Sequence, residues 1–326
     1  MKKVLYVIEG YTGYKRIDEN IIKSFAQIRT FNYVSKKDYF NINLLLNIIW
    51  SDVIIIWFAS KHSLPALIIN KLFMKPVYII AGGFDVASVP KINYGAMIGG
   101  SRKQIGNWIL SNATKVISVS KSNLNDILKN TSIKSSKIEL IYNAVPKIPN
   151  LKFEKERQVL SVGEINRETF YRKGLDRYIA VAKSLIDVNF YHIGKWTDIK
   201  GNPDRSYFNY VKSIAPKNMI FLGYVSNNEL IEYYKTSKVY IQLSRHEAFG
   251  VSVIEALSYQ CVPVVTNCYS LPEIIDGNGY VVANIDEAIE KVKFALDIEN
   301  FKVDQKLLEK YSISKRKQLF KKLLFR

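Results

Sequence analysis

Short, continuous apolar runs recur along the chain, and runs of this length are typical of buried parallel strands. They cover residues 4–8, 53–58, 77–80, 116–119, 138–141, 159–162, 190–193, 219–222, 239–243 and 262–265. Segments with helical periodicity lie between most of them, for example at 106–113, 122–129, 175–185, 229–236 and 251–259. This alternation predicts an α/β fold with doubly wound parallel sheets.

A change of composition at residues 146–157 separates two such series, because two prolines and a run of mixed charge interrupt the pattern. We interpret this stretch as the linker between two Rossmann-like domains, residues 1–148 and 149–310. Ligands of open α/β sheets bind at the carboxyl ends of the strands, so two such domains predict a cleft between those ends. Residues 311–326 predict a basic helix with one apolar side, which either packs back on the first domain or lies on a membrane.

The most apolar stretch, residues 42–59, is interrupted by polar residues and is too short to span a bilayer. It predicts a helix followed by a strand. The apolar run at residues 4–8 is too short for a signal peptide. We therefore expect a cytoplasmic protein, with attachment to a membrane surface left open.

The chain of 326 residues has a formal net charge of +18. Residues 1–150 hold 20 basic and 8 acidic side chains, a net +12, against 27 and 21, a net +6, in the rest. Such a surface attracts nucleic acid, anionic lipid or phosphorylated substrates. No nucleic-acid motif accompanies the charge, so nucleic acid is not an expected partner. Two cysteines, Cys261 and Cys268, are too few for a disulfide framework or a four-cysteine zinc site and favour a reducing compartment.

Residues 239–266 carry the strongest chemical signal. A strand is predicted to end near Ser244, a loop carries Glu247, and a helix begins near Gly250. Glycine lets the backbone approach a ligand closely, and the amides at a helix start suit a phosphate. Glu247 is placed to accept hydrogen bonds from sugar hydroxyls, and Glu255, in the helix, is placed to bind a ribose diol.

The order Glu-Ala-Phe-Gly at 247–250, Glu-Ala at 255–256 and Pro-Val-Val at 263–265 resembles the Glu-x7-Glu signature of the family 4 retaining glycosyltransferases. The resemblance implies the GT-B fold, in which two Rossmann-like domains face a central cleft. It also implies a nucleoside diphosphate sugar donor, no metal and no other cofactor. No Asp-x-Asp metal motif is apparent.

Residue by residue, the resemblance implies that Glu247 and the amides of Phe249, Gly250 and Val251 hold the donor sugar, with Glu255 on the ribose. Beside Glu247, His246 is interpreted as orienting that acid or contacting substrate.

Further segments resemble the same family in the same order. Gly163 and the Arg172-Lys173-Gly174 loop resemble the segments that contact the donor diphosphate, so Lys173 would neutralise the leaving group. Gly223 belongs to a segment similar to the loop on the side of the base. Same-face attack through an ion pair, which the resemblance implies, needs no enzymatic nucleophile.

Three positions depart from the family pattern. Glu164 follows Gly163 where the family has an arginine, and either Arg172 or Arg167 is the candidate to replace it, with Arg172 slightly favoured. At residue 82 a glycine stands where the family often has a histidine, which puts full activity in doubt.

The third departure is the N-terminal loop. Gly10 and Gly13 are separated instead of paired, so this loop either approaches a phosphate or forms a plain turn. On the acceptor side, Asp85 either lines the pocket or caps a turn, and Tyr94 is a candidate by position. The histidines His62 and His192 are expected to be structural.

These observations predict a retaining glycosyltransferase that moves a sugar to a glycan or lipid-linked acceptor in cell-surface polysaccharide, glycolipid or glycoprotein glycan assembly. An anionic membrane surface at the inner face of the cell membrane is an expected partner. The alternative is a catalytically degenerate sugar-nucleotide-binding partner in a glycan-assembly complex.

Overall fold

The computed structural model describes residues 1–146, 148, 153–198 and 201–325. The chain divides into two compact units, Met1–Pro146 with Glu309–Arg326 and Lys147–Leu308. The first unit's main segment ends at residue 146, where 148 was expected, and the second unit ends at residue 308, where 310 was expected. Most of the first half of the expected linker, residues 147 and 149–152, lies outside the described residues.

The first unit is built on a six-stranded parallel sheet in the order β2-β1-β3-β4-β5-β6. Its strands are Lys3–Glu9 (β1), Gln27–Tyr33 (β2), Val53–Trp57 (β3), Val77–Ala81 (β4), Lys115–Ser118 (β5) and Ile138–Leu140 (β6). Its helices are Gly13–Lys23 (α1), Ile42–Trp50 (α2), Leu64–Asn70 (α3), Gly100–Asn112 (α4) and Lys121–Asn130 (α5). Every residue of β3 and β4 is buried, as expected for central strands covered by helices on both faces.

The second unit repeats this plan with a parallel sheet in the order β12-β11-β10-β7-β8-β9. The strands are Glu156–Val162 (β7), Asn189–Ile193 (β8), Met219–Gly223 (β9), Ser237–Gln242 (β10), Val262–Thr266 (β11) and Tyr280–Val282 (β12). The helices are Thr169–Arg172 (α6), Leu175–Ser184 (α7), Arg205–Ile214 (α8), Asn227–Thr236 (α9), Val251–Ser258 (α10), Leu271–Ile275 (α11) and Ile285–Asp297 (α12).

Two further helices, Gln305–Lys310 (α13) and Ile313–Leu324 (α14), return the chain to the first unit. The apolar side chains Phe320, Leu323 and Leu324 of α14 are buried there. Its Arg316 is also buried, and the Nη2 of that guanidinium donates to Oδ2 of Asp18 on α1 at 2.7 Å. The apolar side of the C-terminal helix therefore faces protein.

All ten strands that the apolar runs predict are present, and the α/β prediction is confirmed. The pattern missed β2 and β12, which are edge strands of the two sheets. Polar residues alternate with apolar ones in β2, and β12 is three residues long, so neither forms a continuous apolar run. Among the described residues, no helix is both long and apolar enough to cross a membrane.

Each sheet has one point at which the strand order reverses. It lies between β1 and β3 in the first unit and between β7 and β10 in the second. Loops that leave adjacent strands at such a point diverge to opposite faces and open a crevice at the carboxyl edge, where open sheets bind ligands.

Candidate functional site

Glu247 is the central acid of the second unit's edge, in the loop between β10 and α10. Its Oε2 accepts hydrogen bonds from Nε2 of Gln242 at 2.7 Å and from Nζ of Lys173 at 2.6 Å. Gln242 is buried at the end of β10, and Lys173 follows α6. The structure thus brings two predicted residues together, 74 positions apart in sequence, and adds Gln242, which sequence reasoning missed.

Gly174 explains how Lys173 reaches this position. Its φ is +71°, and a Cβ added there would lie 2.0 Å from the carbonyl oxygen of Leu243. Only glycine permits so close an approach of two backbones. Arg245 holds the same loop, because its amide donates to the carbonyl of Arg172 at 2.8 Å.

A second ion pair, which sequence reasoning also missed, fixes this junction. The guanidinium of Arg245 donates to both carboxylate oxygens of Asp176, at 2.8 and 2.6 Å. This bidentate geometry joins the loop after β10 to the start of α7.

The charges around Glu247 keep it ionised. Burial by itself would raise its pKa, but the ammonium of Lys173 and then the guanidinium of Arg172 outweigh burial, so the pKa of Glu247 lies below its ordinary value. Arg172 therefore acts on this acid. The other candidate, Arg167, is directed elsewhere: its Nε lies 3.7 Å from Asp204 and its guanidinium lies over the ring of Tyr207.

The start of α10 adjoins Glu247. Gly250 is the N-cap residue with φ of +92°, a left-handed conformation that favours glycine, and no side chain caps the helix. The first turn of a helix leaves backbone amides without intrahelical partners, and Val251 begins that turn. Ser270 Oγ secures the preceding loop by donating to the carbonyls of Glu247 and Phe249. This arrangement suits a negatively charged group.

Glu255 lies further along α10. The hydroxyl of Tyr234 donates to its Oε2 at 3.0 Å. Burial raises the pKa of Glu255 to about 7, although this hydrogen bond opposes the shift. Glu255 therefore changes charge near neutral pH.

The remaining predicted residues of this unit occupy the same edge. His246 is buried, its ring centroid lies 4.1 Å from that of Tyr269, and it lowers the pKa of Glu247 slightly. Gly163 follows β7, and its amide donates to the carbonyl of Ile193 at 2.9 Å. Gly223 ends β9, and its carbonyl accepts the amide of Gly194.

His192 belongs to the core of the second unit. It is buried in β8, and burial lowers its pKa to about 4, so the ring is neutral.

In the first unit, the loop after β1 is held by the protein's own groups. Gly10 has φ of +65°, and its amide donates to Oδ1 of Asn32 at 2.9 Å. The buried Lys15 donates to the carbonyls of Glu9 and Gly10, at 2.6 and 3.0 Å. Gly13 is the first residue of α1. The amide of Gly10 is therefore engaged by Asn32 of β2, and the ammonium of Lys15 by carbonyls of the turn.

A cavity of about 290 Å³ lies at this edge. Its lining includes Asp85, a predicted acceptor-side candidate, together with Glu9 and His62, which were not predicted to face an acceptor. In its lining, Nδ1 of His62 lies 2.7 Å from Ser60 Oγ and 3.3 Å from Oε2 of Glu9. Nε2 of His62 donates to the carbonyl of Trp57 at 2.8 Å. The hydrogen bond from His62 lowers the pKa of Glu9 below its ordinary value.

Asp85 also borders this cavity, but its carboxylate serves the turn. Its Oδ1 accepts the amide of Gly83 and its Oδ2 the amide of Ala59, both at 2.9 Å. The turn-capping alternative therefore describes this residue. Tyr94 packs against Phe84 with ring centroids 5.4 Å apart.

Gly82 has no room for the histidine that the family often carries. A Cβ added at this position would lie 1.9 Å from the ring of Phe58. Phe58 thus occupies the space into which a side chain at 82 would extend. Within the described ranges, no group of three or more His, Cys, Asp or Glu residues could hold a metal ion.

Comparison with known proteins identifies the family and the fold. The family model of glycosyl transferases group 1 matches residues 147–318, more than half of the chain. An uncharacterised 41.2 kDa protein in the cps region of Klebsiella pneumoniae is 30% identical over 174 residues, which is 49% of this chain and 45% of that protein. The α-galactosylglucosyldiacylglycerol synthase of Streptococcus pneumoniae is 25% identical over 134 residues, 41% of this chain and 35% of that protein. The matched regions therefore span less than half the length of these curated relatives.

Solved structures share the fold along the whole chain. The lipopolysaccharide outer core galactosyltransferase WaaB superposes with a TM-score of 0.69 at 16% identity, covering 99% of both chains. The Anabaena protein HepE, in complex with UDP and glucose, superposes with a TM-score of 0.73 at 13% identity and the same coverage. The predicted GT-B fold is confirmed, and the chain belongs to the glycosyl transferases group 1 family.

Proposed function

We propose that this protein transfers a sugar, with retention of configuration, from a nucleoside diphosphate sugar to a glycan or lipid-linked acceptor in polysaccharide or glycolipid synthesis. The observation that carries this proposal is the pair of Lys173 and Glu247, held at 2.6 Å beside the start of α10. It combines a fixed cation, an ionised acid and helix-end amides at one sheet edge.

Each group has a distinct role in this proposal. The bond between the sugar's anomeric carbon and the donor's β-phosphate oxygen breaks, and negative charge grows on the departing diphosphate. Lys173 and the amides at the start of α10 stabilise that charge without reorganising, because the fold already orients them. Glu247 stays ionised and accepts hydrogen bonds from sugar hydroxyls, which positions the anomeric carbon.

The acceptor oxygen attacks from the face that the diphosphate leaves, and its proton passes to the departing phosphate oxygen. This route needs no enzymatic nucleophile and no cofactor. Arg172 adds to the positive charge at the diphosphate, and Glu255 binds the ribose.

The cavity of the first unit supports an acceptor there. The carboxylate of Glu9 is 61% exposed and lies 3.3 Å from Nδ1 of His62 in the cavity lining. An exposed carboxylate suits sugar hydroxyls, because it accepts their hydrogen bonds. Phe84 on the same wall offers an exposed aromatic face.

The names of related proteins support the proposed activity. The HepE structure contains UDP and glucose, WaaB is a galactosyltransferase, and the pneumococcal relative is a diacylglycerol glycolipid synthase. By analogy, we place this protein in the cytoplasm, at the inner face of the cell membrane.

A thermal-shift screen tests the donor site. The purified protein is heated with UDP, GDP, ADP and their common sugar conjugates, alongside Lys173→Ala. A selective rise in melting temperature that the variant loses identifies the donor, because a ligand stabilises the state that it binds. Equal shifts in both proteins would contradict the assigned site.

A second candidate, a binding partner without turnover, is favoured by Gly82, because Phe58 fills the place of the family's histidine. It predicts donor binding with neither transfer to a broad acceptor panel nor hydrolysis. Transfer to any acceptor, measured by release of the nucleoside diphosphate, would exclude it.

A further inference from the structure

Helix α2 has an apolar outer side that the first unit leaves uncovered. Its inner residues Leu44 and Ile48 are buried, as usual for a helix on a sheet. The outer residues Ile42, Leu46 and Ile49 are also apolar and are more than half exposed. Asn43 and Asn47 are the polar residues of α2, and they leave most of its outer side apolar. A contiguous apolar patch that is exposed to solvent marks an interaction site.

The exposed side chains continue from α2 onto the turn after α3. That turn is joined to α2 by Lys75, whose Nζ donates to the carbonyls of Ile48 and Ile49 at 2.5 and 2.6 Å. We call the combined surface the α2 face. Its six large apolar side chains are between 51% and 94% exposed: Phe40, Ile42, Leu46, Ile49, Leu72 and Met74.

Met74 gives a second indication. Its φ is +49°, in the left-handed region that non-glycine residues seldom adopt, and its side chain is among the most exposed on the protein. Such a conformation carries a free-energy cost, and here it coincides with an exposed apolar side chain.

Charge distinguishes among the partners that could bind the α2 face. Residues 34–76 hold five lysines and two aspartates, and Lys36, Lys37 and Lys71 are exposed near the ends of the α2 face. Lysine is depleted at protein–protein interfaces, and a second copy of this chain would bring like charges together. Lysines around inserted apolar side chains suit anionic lipid, because the long side chains reach back to the headgroups.

We propose that the α2 face docks the protein on an anionic bilayer, with its six apolar side chains in the interface and the flanking lysines at the headgroups. The C-terminal helix does not perform this role. It has exposed lysines but buries Phe320, Leu323 and Leu324 against the first unit.

The α2 face borders the cavity of the first unit. Tyr39 lines that cavity, and the next residue, Phe40, belongs to the α2 face. A lipid-linked acceptor that stays in the bilayer would therefore present its headgroup near His62. This link to the acceptor rests on the proposed function, whereas the docking rests on the surface alone.

Vesicle flotation tests the docking. The full chain is mixed with phosphatidylcholine vesicles with or without phosphatidylglycerol, and the bound fraction is measured. We expect binding only with phosphatidylglycerol. The variant Leu46→Ser/Ile49→Ser/Met74→Ser should bind at least about tenfold less lipid, because the inserted apolar area is lost.

Two control variants sharpen the test. Ile186→Ser/Tyr210→Ser/Phe294→Ser removes comparably exposed apolar side chains from the second unit and should bind as the wild type does. Lys321→Glu/Lys322→Glu on α14 should lose less lipid binding than Leu46→Ser/Ile49→Ser/Met74→Ser, the α2-face variant. Unchanged binding of the α2-face variant, or a larger loss in the α14 variant, would overturn the proposal.

Two further measurements separate the explanations. Melting temperature and the nucleotide shift are recorded for each variant, so loss of docking with an intact donor response is distinct from failure of the proposed function. Light scattering without vesicles reports the second-copy alternative. A wild-type dimer that becomes monomeric in the α2-face variant would show that a second chain, rather than lipid, covers this surface.

Discussion

The two sheet edges hold their acids in opposite ways. In the second unit, Glu247 and Lys173 are both largely buried and are paired at 2.6 Å. In the first unit, Glu9 is 61% exposed and lies 3.3 Å from the buried His62. A buried, fixed charge pair suits stabilisation of charge that develops during a reaction, because its orientation is already set. An exposed carboxylate beside a buried imidazole suits recognition of hydroxyl groups that arrive with a ligand.

The largest difference between the edges is expected in catalysis. Glu247→Ala and Lys173→Ala should each lower the rate of sugar transfer by about a hundredfold or more, since each removes a preorganised electrostatic contact. Steady-state release of the nucleoside diphosphate measures this. Glu9→Ala is the matched control at the other edge and should lose much less. Transfer rates near that of the wild type in both Glu247→Ala and Lys173→Ala would show that the second unit's edge has no larger catalytic role than the first.

Gly82→Ala tests how tightly the first edge is packed. The added Cβ meets the ring of Phe58, so we expect a loss of about 2 kcal/mol in the free energy of unfolding. Urea unfolding measures it. Gly13→Ala is the control, because its Cβ would meet nothing within 4 Å, and it should change the free energy of unfolding little.

The double variant Phe58→Ala/Gly82→Ala identifies the contact. Its loss in the free energy of unfolding should be smaller than the sum of the losses in the two single variants, because removing the Phe58 ring also removes the clash. Simple additivity would show that Phe58 is not what excludes a side chain at 82.

Nucleotide binding at the second edge should depend on pH through Glu255. Its pKa of about 7 leaves about a tenth of it ionised at pH 6, so affinity should fall about tenfold from pH 8 to pH 6 if the carboxylate binds ribose. Titration calorimetry at both pH values tests this. Glu255→Gln should flatten the profile, which separates this acid from titration of the nucleotide.

The same acid affects stability with a defined sign. The pKa of Glu255 is raised in the folded protein from 4.5 to about 7. Unfolding therefore releases a proton in this window, and the contribution of Glu255 to the free energy of unfolding decreases as pH rises from about 4.5 to 7. A Glu255→Gln variant should lose that part of the pH dependence.

The smallest effect is expected at His62. His62→Ala removes both ring nitrogens, including the Nδ1 that lies 3.3 Å from Glu9 in the cavity lining. We expect the acceptor KM to rise about fivefold, the scale of one hydrogen bond, while nucleotide affinity stays unchanged. Initial rates over a range of acceptor concentrations measure it. An equal loss of nucleotide affinity would place His62 on the donor side.

Sequence reasoning is most specific where a signal lies within a short segment. The Glu-Ala-Phe-Gly run at 247–250 and Glu255 lie in one loop and the helix that follows it, as their spacing predicts. The sequence predicted a structural role for His62 and did not bring it together with Glu9, because Glu9 lies at the end of a strand that is distant in sequence. Asp85 had two predicted roles, and in the structure its carboxylate caps the turn while the residue also lines the cavity.

The sequence by itself determined the α/β class, ten of the twelve strands in the part of the chain that the structure describes, and the Glu-x7-Glu segment. Hydrophobic period and local spacing act over neighbouring residues. The tertiary structure decided which charges meet and which apolar faces are covered. Lys173 reaches Glu247 across 74 positions, and α14 buries its apolar side while α2 leaves its outer side exposed. Both outcomes depend on contacts between elements that are distant in sequence, and no local pattern encodes those contacts.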